Sequence, residues 1–270
     1  MTTVHELKTD PAWQEPLDRD ALYRLLSQVT GKSITMLKAF PETGLSPAQM
    51  DVFETLSHRY RAGEPLAYIL GEQGFWSMLL KVTPDVLIPR PDTECLVEAV
   101  LELGKDRIWR VADLGTGSGA IALSLAQEHP QWSIIATDAS PAALAVARAN
   151  AETYQFPNIE FRQGSWFEPL DGCFHCIVSN PPYIADDDSH MNDLGHEPRS
   201  ALVAADQGLA DIEWLTAHAA QYLHPQGWLL IEHGWQQGEA VRELFRRSGF
   251  LDVTTGYDYG GNPRYTRGHL

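Results

Sequence analysis

The chain has 270 residues, of which 44% are hydrophobic and 21% are charged, and its formal net charge is -16 at pH 7. This length and composition are typical of a globular protein, and the length is comfortable for two domains. A surface this acidic repels phosphate backbones and therefore disfavours a nucleic-acid partner.

Targeting and membrane signals are missing from the sequence. The first ten residues lack the apolar core of a signal peptide, and no apolar run approaches the roughly 18 residues of a membrane span. Three cysteines are too few for a disulfide framework. Cys173 and Cys176 form a C-x-x-C pattern without a second ligand pair, on a predicted buried strand, so we expect a structural role and no metal. We expect a cytoplasmic protein.

The first part of the chain has a helical pattern. Residues 18–29 place leucines on one face at helical spacing and Gly31 follows, while Ser46 and Pro47 are typical of a helix start. No strand pattern interrupts residues 1–65. We predict a helical bundle domain over residues 1–74.

Charge is unevenly distributed between the two parts of the chain. Residues 1–84 hold 8 Lys/Arg and 10 Asp/Glu, whereas residues 85–270 hold 12 and 26. The nearly neutral helical part is therefore the better candidate for docking a macromolecular substrate. Alternatively, it only braces the second domain.

The pattern becomes strand-like over residues 75–88, which we predict to be a hairpin-like connection. Pro89-Arg90-Pro91 then stiffens a loop before a helix over 92–103. Beyond Gly104 strands and helices alternate, which predicts a doubly wound α/β sheet in a domain of residues 89–270. The predicted strands are 110–114, 133–137, 158–162, 174–179, 228–232, 251–257 and 265–268. The predicted helices are 119–128, 140–154, 209–223 and 236–247.

A glycine-rich turn, residues 113–120 and hereafter the glycine loop, lies between a predicted strand and a helix. Its glycines allow a sharp turn and close approach of the backbone to a ligand. Asp138 ends the next strand, where a carboxylate can accept hydrogen bonds from both ribose hydroxyls of an adenosine. The predicted cofactor-binding residues here are Gly115, Thr116, Gly117, Ser118, Gly119 and Asp138.

The glycine loop alone does not decide between NAD and S-adenosylmethionine (SAM), because Gly115-x-Gly117-x-x-Ala120 also fits the dinucleotide fingerprint. The charge of Asp113 would repel a pyrophosphate, but it would attract the ammonium and sulfonium groups of SAM. We therefore favour SAM. Trp166, after the third strand, is placed to contact the adenine by stacking or through its backbone N–H; the alternative is a rim aromatic packed for burial.

The segment Asn180-Pro181-Pro182-Tyr183 follows the fourth strand. The Asn180 side-chain oxygen and the Pro181 carbonyl can accept the two hydrogens of a planar –NH2 group, which directs its nitrogen toward the methyl group of SAM. Pro181 and Pro182 fix the backbone, and Tyr183 can pack on the conjugated group. We predict Asn180 and Pro181 as catalytic, all four residues as substrate-binding, and Asn180 also as a cofactor contact.

The identity of the –NH2 group stays open between a nucleobase and a protein amide. Acidic residues follow the motif at Asp186, Asp187, Asp188, Asp193 and Glu197, and we expect them to flank the entrance. Nucleic-acid methyltransferases need a basic track for phosphates, which this sequence lacks. A protein amide is the better fit, although the acidic run also suits a plain solvated loop.

Taken in order, the segments 88–94, 113–119, 180–183, Glu197-Pro198 and Ala201-Leu202 resemble those of the HemK-type N5-glutamine methyltransferases. The resemblance covers nearly the whole chain and implies a Rossmann-like class I SAM-dependent methyltransferase domain preceded by the helical domain. It also implies a substrate, the glutamine of the Gly-Gly-Gln motif in bacterial class 1 peptide chain release factors, and S-adenosylhomocysteine as product. We expect a monomer.

Alternatives remain. A sister enzyme methylates a glutamine of a large-subunit ribosomal protein and would share the same site. A nucleic-acid amino-methyltransferase is disfavoured by charge, and a SAM-binding regulator without catalysis would not need residues 180–183. The chain departs from the family pattern at Gln207-Gly208-Leu209 and at Glu232-His233-Gly234. We expect neither segment to touch the proposed chemistry.

Overall fold

The computed structural model describes residues 2–10, 13, 17–188 and 194–270. The chain divides into two compact units, Met1–Glu72 and Gln73–Leu270. In the described residues, no helix combines the length and the apolar character that crossing a membrane requires.

The first unit is a bundle of short helices, as predicted. Asp18 caps the second helix by accepting a hydrogen bond from Ala21 N, and Gly31 ends it in the left-handed conformation. Ser46 and Gln49 form a reciprocal capping box at the start of the fourth helix. The described helices are α1 (Val4–Thr9), α2 (Arg19–Thr30), α3 (Ile34–Ala39), α4 (Pro47–Arg61) and α5 (Leu66–Leu70).

A two-stranded hairpin, β1 (Glu72–Phe75) and β2 (Met78–Lys81), follows the bundle. The prediction of a strand-like stretch over residues 75–88 is therefore wrong in its bounds. The chain turns at Trp76, which has a positive φ of 56°. Beyond β2 the backbone N–H of Ile88 donates to Glu197 Oε2 at 3.0 Å and not to a strand.

The second unit is built on a seven-stranded sheet of order β5-β4-β3-β6-β7-β9-β8. The first five strands in this order are parallel, and β9 is antiparallel to both β7 and β8. The strands are β3 (Arg110–Leu114), β4 (Ser133–Asp138), β5 (Ile159–Gln163), β6 (Phe174–Ser179), β7 (Leu223–Glu232), β8 (Leu251–Tyr257) and β9 (Pro263–His269). The predicted doubly wound α/β fold is confirmed.

Helices cover both faces of this sheet because alternate strand residues point to opposite sides. Val111 joins one apolar core with the three helices that lie between residues 94 and 154, whereas Ala112 and Leu114 join a second core with the helices of residues 210–219 and 238–247. The helices are α6 (Glu94–Gly104), α7 (Ala120–Glu128), α8 (Pro141–Tyr154), α9 (Ala210–Ala219) and α10 (Gly238–Arg247). The helix predicted over 209–223 ends early, and β7 begins at Leu223, where it pairs with Phe174.

Strand order reverses between β3 and β6. From β3 the chain proceeds outward through β4 to β5, and it then returns to place β6 on the other side of β3. In open α/β sheets such a switch point opens a crevice at the carboxyl ends of the strands. The glycine loop follows β3 and Asn180 follows β6, so the two predicted motifs emerge side by side.

Candidate active site

A cavity of about 300 Å³ lies at this switch point, within the size range of small-ligand sites. Eight predicted site residues line it: Gly115, Thr116, Gly117, Ser118, Asp138, Trp166, Asn180 and Pro182. Gly119, Pro181 and Tyr183 are not part of its wall. Most of the predicted site residues therefore come together, and the other three adjoin them in sequence.

The glycine loop needs its glycines for two different reasons. Gly115, Gly117 and Gly119 all have positive φ, which side chains disfavour. A Cβ on Gly119 would lie 2.8 Å from Leu123 Cδ1, so this glycine permits close packing inside the protein. A Cβ on Gly117 would meet no atom within 4 Å in the part of the chain that the structure describes. Because Gly117 also lines the cavity, its bare backbone leaves room for a ligand.

Asp113 organises the loop from beneath and is fully buried. Its Oδ2 accepts hydrogen bonds from Thr116 Oγ1 (2.6 Å) and Ala122 N (3.2 Å). Burial raises the pKa of Asp113 to about 7, although these two hydrogen bonds oppose the rise. The expected attraction of Asp113 for a cationic ligand is therefore weakened, because near neutral pH the carboxyl is partly protonated and is not in the cavity wall.

Asp138 joins the loop to the next strand. Its Oδ2 accepts from Gly117 N (2.9 Å), and its Oδ1 accepts from Ser140 N (2.8 Å). Each oxygen of an ionised carboxylate can accept a further hydrogen bond. The carboxylate, held from both sides, can therefore still receive two hydroxyl groups of a sugar in the cavity.

Trp166 contributes an aromatic wall. It is half-buried, it has a positive φ of 47°, and its carbonyl accepts from Thr137 Oγ1 at 3.3 Å. A Cβ on Gly115 would lie 3.3 Å from the Trp166 ring, so the ring packs directly on the glycine loop. A bulky residue with this backbone conformation carries strain, which is more common at functional sites than elsewhere.

Asn180 reaches the cavity from the end of β6. Its Nδ2 donates to Thr93 Oγ1 at 3.3 Å. Ser179, just before it, donates through Oγ to Leu114 O at 2.7 Å and so holds the ends of β6 and β3 together. Pro182 lines the cavity and Pro181 is buried behind it. The Tyr183 hydroxyl turns away and donates to Glu232 Oε1 at 3.3 Å, and burial raises the pKa of Tyr183.

The two segments that depart from the family pattern both reach Tyr183, at its hydroxyl and at its carbonyl. These contacts do not involve Asn180 Oδ1 or the Pro181 carbonyl, so the expectation that neither segment touches the proposed chemistry stays a prediction. Gln237 Nε2 donates to the carbonyls of both Tyr183 and Gln207, at 3.1 Å each. A Cβ on Gly208 would lie 2.1 Å from the Tyr183 carbonyl oxygen, so only glycine fits there. Glu232 Oε1 accepts a hydrogen bond from the Tyr183 hydroxyl.

The acidic residues expected at the entrance have different roles. Glu197 is buried, accepts from Ile88 N at 3.0 Å and forms a salt bridge with Arg90. Glu197 therefore holds the loop Pro89-Arg90-Pro91 in place. It is not an exposed charge at the entrance of the cavity. Asp186 pairs with Arg199 on the surface, while Asp187 and Asp188 are exposed. Asp193 lies outside the described residues.

Several residues of the cavity wall are not among the predicted site residues. Phe75 and Asp85 enter the wall from the hairpin and the loop after it, and Asp211 enters from α9. Burial raises the pKa of Asp211. Thr93, in the resembling segment 88–94, bonds to Asn180. Thr93 lies within a resembling segment, as do four other residues of the same wall: Pro89, Arg90, Pro198 and Ala201. Phe75, Asp85 and Asp211 have no local sequence signal, because the fold brings them to the site from distant parts of the chain.

Two families match this chain. The family described as Methyltransferase small domain matches residues 91–258, and the family described as PrmC N-terminal domain matches residues 14–71. The first match contains the glycine loop and residues 180–183. The second falls within the helical unit.

Individual relatives are much more similar to this chain in sequence than proteins that share only its fold. A protein of Yersinia pestis named release factor glutamine methyltransferase is 52% identical, covering 90% of this chain and 89% of that protein. A protein of the same name from Escherichia coli is 49% identical over the same shares. A solved methyltransferase structure from Pyrococcus furiosus has a TM-score of 0.56 at 17% identity, covering 80% of this chain and 98% of that one.

Proposed function

The chain belongs to the release factor glutamine methyltransferase family, and from that membership we propose its substrate, cofactor geometry and mechanism. The family resemblance drawn from the sequence is confirmed, and so is the prediction of a methyltransferase. The proposed reaction transfers a methyl group from SAM to the side-chain amide nitrogen of the glutamine in the Gly-Gly-Gln motif of a class 1 release factor. S-adenosylhomocysteine is the proposed product.

Asn180 carries this proposal, since it lies in the same cavity wall as the glycine loop. The fit of SAM is supported by three features of that wall. Gly117 leaves open space, Asp138 retains acceptor capacity, and Trp166 offers a ring. The residues that would hold SAM are Gly115, Thr116, Gly117, Ser118, Gly119, Asp138, Trp166 and Asn180. When bound, SAM supplies an electrophilic methyl group on a sulfonium.

The task of residues 180–183 is to hold an unreactive nitrogen. An amide nitrogen is a weak nucleophile because its lone pair is delocalised into the carbonyl. Asn180 Oδ1 and the Pro181 carbonyl would each accept one amide hydrogen, and that favours the pyramidal, positively charged nitrogen that develops in the transition state. Pro181 and Pro182 restrict the backbone, so these acceptors are oriented before the substrate arrives. The proton leaves after methyl transfer, and no strong base is required.

Tyr183 remains a proposed substrate contact, but we assign that contact to its ring and not to its hydroxyl. The hydroxyl is already bonded to Glu232. Tyr183 is half-buried and directly follows Pro182, which lines the cavity, and we assign one face of its ring to flanking the glutamine side chain.

Substrate identity is tested by offering labelled SAM with a release factor, the large-subunit ribosomal protein or DNA in separate reactions. Mass mapping then locates the methyl group. Labelling of the Gly-Gly-Gln glutamine alone supports the proposal. Labelling of the ribosomal protein would favour the sister activity, and labelling of DNA would contradict the expectation, based on net charge, that nucleic acid is not a direct substrate.

We assign substrate docking to the N-terminal domain of residues 1–74, because the first 84 residues are nearly neutral while the rest of the chain is strongly acidic. A chain lacking residues 1–65 should bind SAM with unchanged affinity but methylate release factor with a raised KM. Equal kinetics for the two chains would show that the helical unit has no docking role. We further propose that the enzyme acts as a cytoplasmic monomer.

A further inference from the structure

A buried carboxylate lies behind residues 180–183. Glu232 ends β7, beside the end of β6, and its side chain is almost wholly buried. Its Oε1 accepts from the Tyr183 hydroxyl at 3.3 Å. Its Oε2 is buried and has no hydrogen-bond partner among the residues that the structure describes. A buried carboxylate oxygen without a donor is costly, so its retention calls for a physical reason.

Thr93 lines the cavity next to Asn180. It is 4% exposed, and its Oγ1 accepts from Asn180 Nδ2. The hydroxyl hydrogen of Thr93 is not used in that bond. Thr93 also acts on Glu232, since it lowers the pKa of that carboxyl against the larger, opposing effect of burial. A small adjustment of the hydroxyl toward Oε2 would satisfy both groups.

We propose that Thr93 and Glu232 are positioning residues that fix which way the Asn180 amide faces. This inference rests on the proposed function, in which Asn180 Oδ1 must face the substrate. An ionised carboxylate can only accept hydrogen bonds, so the Thr93 hydroxyl must donate to it. Thr93 can then only accept from Asn180. Nδ2 of Asn180 is thereby held toward Thr93, and Oδ1 is left for the cavity.

We call the hydrogen-bond series from Asn180 Nδ2 through the Thr93 hydroxyl to Glu232 the relay. Its direction matters because the oxygen and the –NH2 of an amide are nearly equal in shape but opposite in hydrogen bonding. A flipped Asn180 would present –NH2 to the –NH2 of the substrate and could not accept its hydrogens. Glu232 also holds the Tyr183 hydroxyl. One buried carboxylate therefore constrains both the amide and the ring of the segment.

The relay is sensitive to pH because Glu232 must be ionised to enforce it. Burial raises the pKa of Glu232 to about 7, while Thr93, Arg264 and Tyr183 lower it and Asp92 raises it. Cys95, in α6, also interacts with this carboxylate, whose charge helps to raise the pKa of the Cys95 thiol. Below about pH 7 the protonated carboxyl can donate to Thr93, and the hydroxyl then no longer has a fixed direction.

The first test replaces the relay hydroxyl. Thr93→Val should lower kcat about tenfold or more, since one hydrogen-bonded orientation is lost, while SAM affinity by calorimetry stays within about twofold. Thr93→Ser should rescue most of kcat because it retains the hydroxyl. Thr216→Val is the matched control: Thr216 is also buried, but among the described residues its hydroxyl bonds only to carbonyls of its own helix. Wild-type kcat in Thr93→Val would overturn the proposal.

The second test separates the relay from the proposed function. In protein labelled with 15N-asparagine, the Asn180 side-chain amide signal is identified by its loss in Asn180→Ala. It should titrate with a midpoint of about 7 in wild type, and Glu232→Gln should abolish that titration. Titration that persists in Glu232→Gln would overturn the relay. Failure of the wild-type chain to methylate release factor would instead overturn the function, because the amide signal is read without turnover.

Discussion

The glycine loop and residues 180–183 end neighbouring strands of one sheet, but they are held in place in different ways. The loop is fixed by partners close in the chain: Thr116 bonds to Asp113, three residues away, and Gly117 to Asp138, 21 residues away. Asn180 instead bonds to Thr93, 87 residues away, and Tyr183 to Glu232, 49 away. The glycine loop is thus held mainly by residues near it in the chain, whereas residues 180–183 depend on the assembled sheet.

This comparison predicts that changes in the two regions affect different measurements. Substitutions in the loop should alter SAM affinity or loop stability. Substitutions in residues 180–183 and their supports should alter turnover while SAM still binds.

The largest expected effect is on turnover. Asn180→Ala should lower kcat by about 10² or more, because one preorganised acceptor for the reacting amide is lost. SAM should still bind measurably by calorimetry. Full activity in this variant would remove Asn180 from the mechanism, and loss of SAM binding to the same degree would erase the distinction between the two regions.

A smaller effect is expected for Asp138, the carboxylate at the end of β4 that holds the glycine loop. Asp138→Ala removes the acceptor for Gly117 N and Ser140 N, together with the proposed acceptor for the ribose. The dissociation constant of SAM should rise about tenfold, as the loss of a charge-assisted hydrogen bond implies, with kcat at saturating SAM much less affected. Unchanged affinity in a calorimetric titration would refute the ribose contact.

The two glycines of the loop should separate packing from ligand space. Gly119→Ala should cost about 1–2 kcal/mol or more of unfolding free energy, because positive φ is disfavoured for alanine and its Cβ meets Leu123. Gly117→Ala carries the same backbone penalty without a contact, and its Cβ should also weaken SAM binding. Equal stability of the two variants in denaturant unfolding would contradict the close packing of Gly119.

The smallest effect concerns pH and stability. The folded-state pKa of Asp113, about 7, lies above the value of about 4 in unfolded chains. Its contribution to stability is therefore fully present below about pH 4 and is lost as pH rises toward 7. Asp113→Asn should reduce the pH slope of unfolding free energy between pH 5 and 6.5 by about 1 kcal/mol per pH unit. The exposed Asp187→Asn serves as control, and an unchanged slope in Asp113→Asn would contradict the assignment.

Much of the second unit was predictable because local patterns specify it. The bounds of β3, β6 and β8 agree with the sequence prediction, since each is a short strand ended by glycine, asparagine or another turn residue. The hairpin bounds failed because its length depends on contacts with distant residues. Tyr154, in α8, accepts from Leu79 N, and Asn150 accepts from Lys81 N.

The sequence by itself determined the alternating strands and helices, the glycine loop and the presence of an amide followed by two prolines at a strand end. Only the tertiary structure decided what surrounds that amide: it buried Glu197 against Arg90, brought Thr93 to Asn180, and placed Glu232 behind Tyr183. The physical reason is that strand order and register set the contacts between residues far apart in the chain. The local spacing of residues in the sequence specifies neither of them.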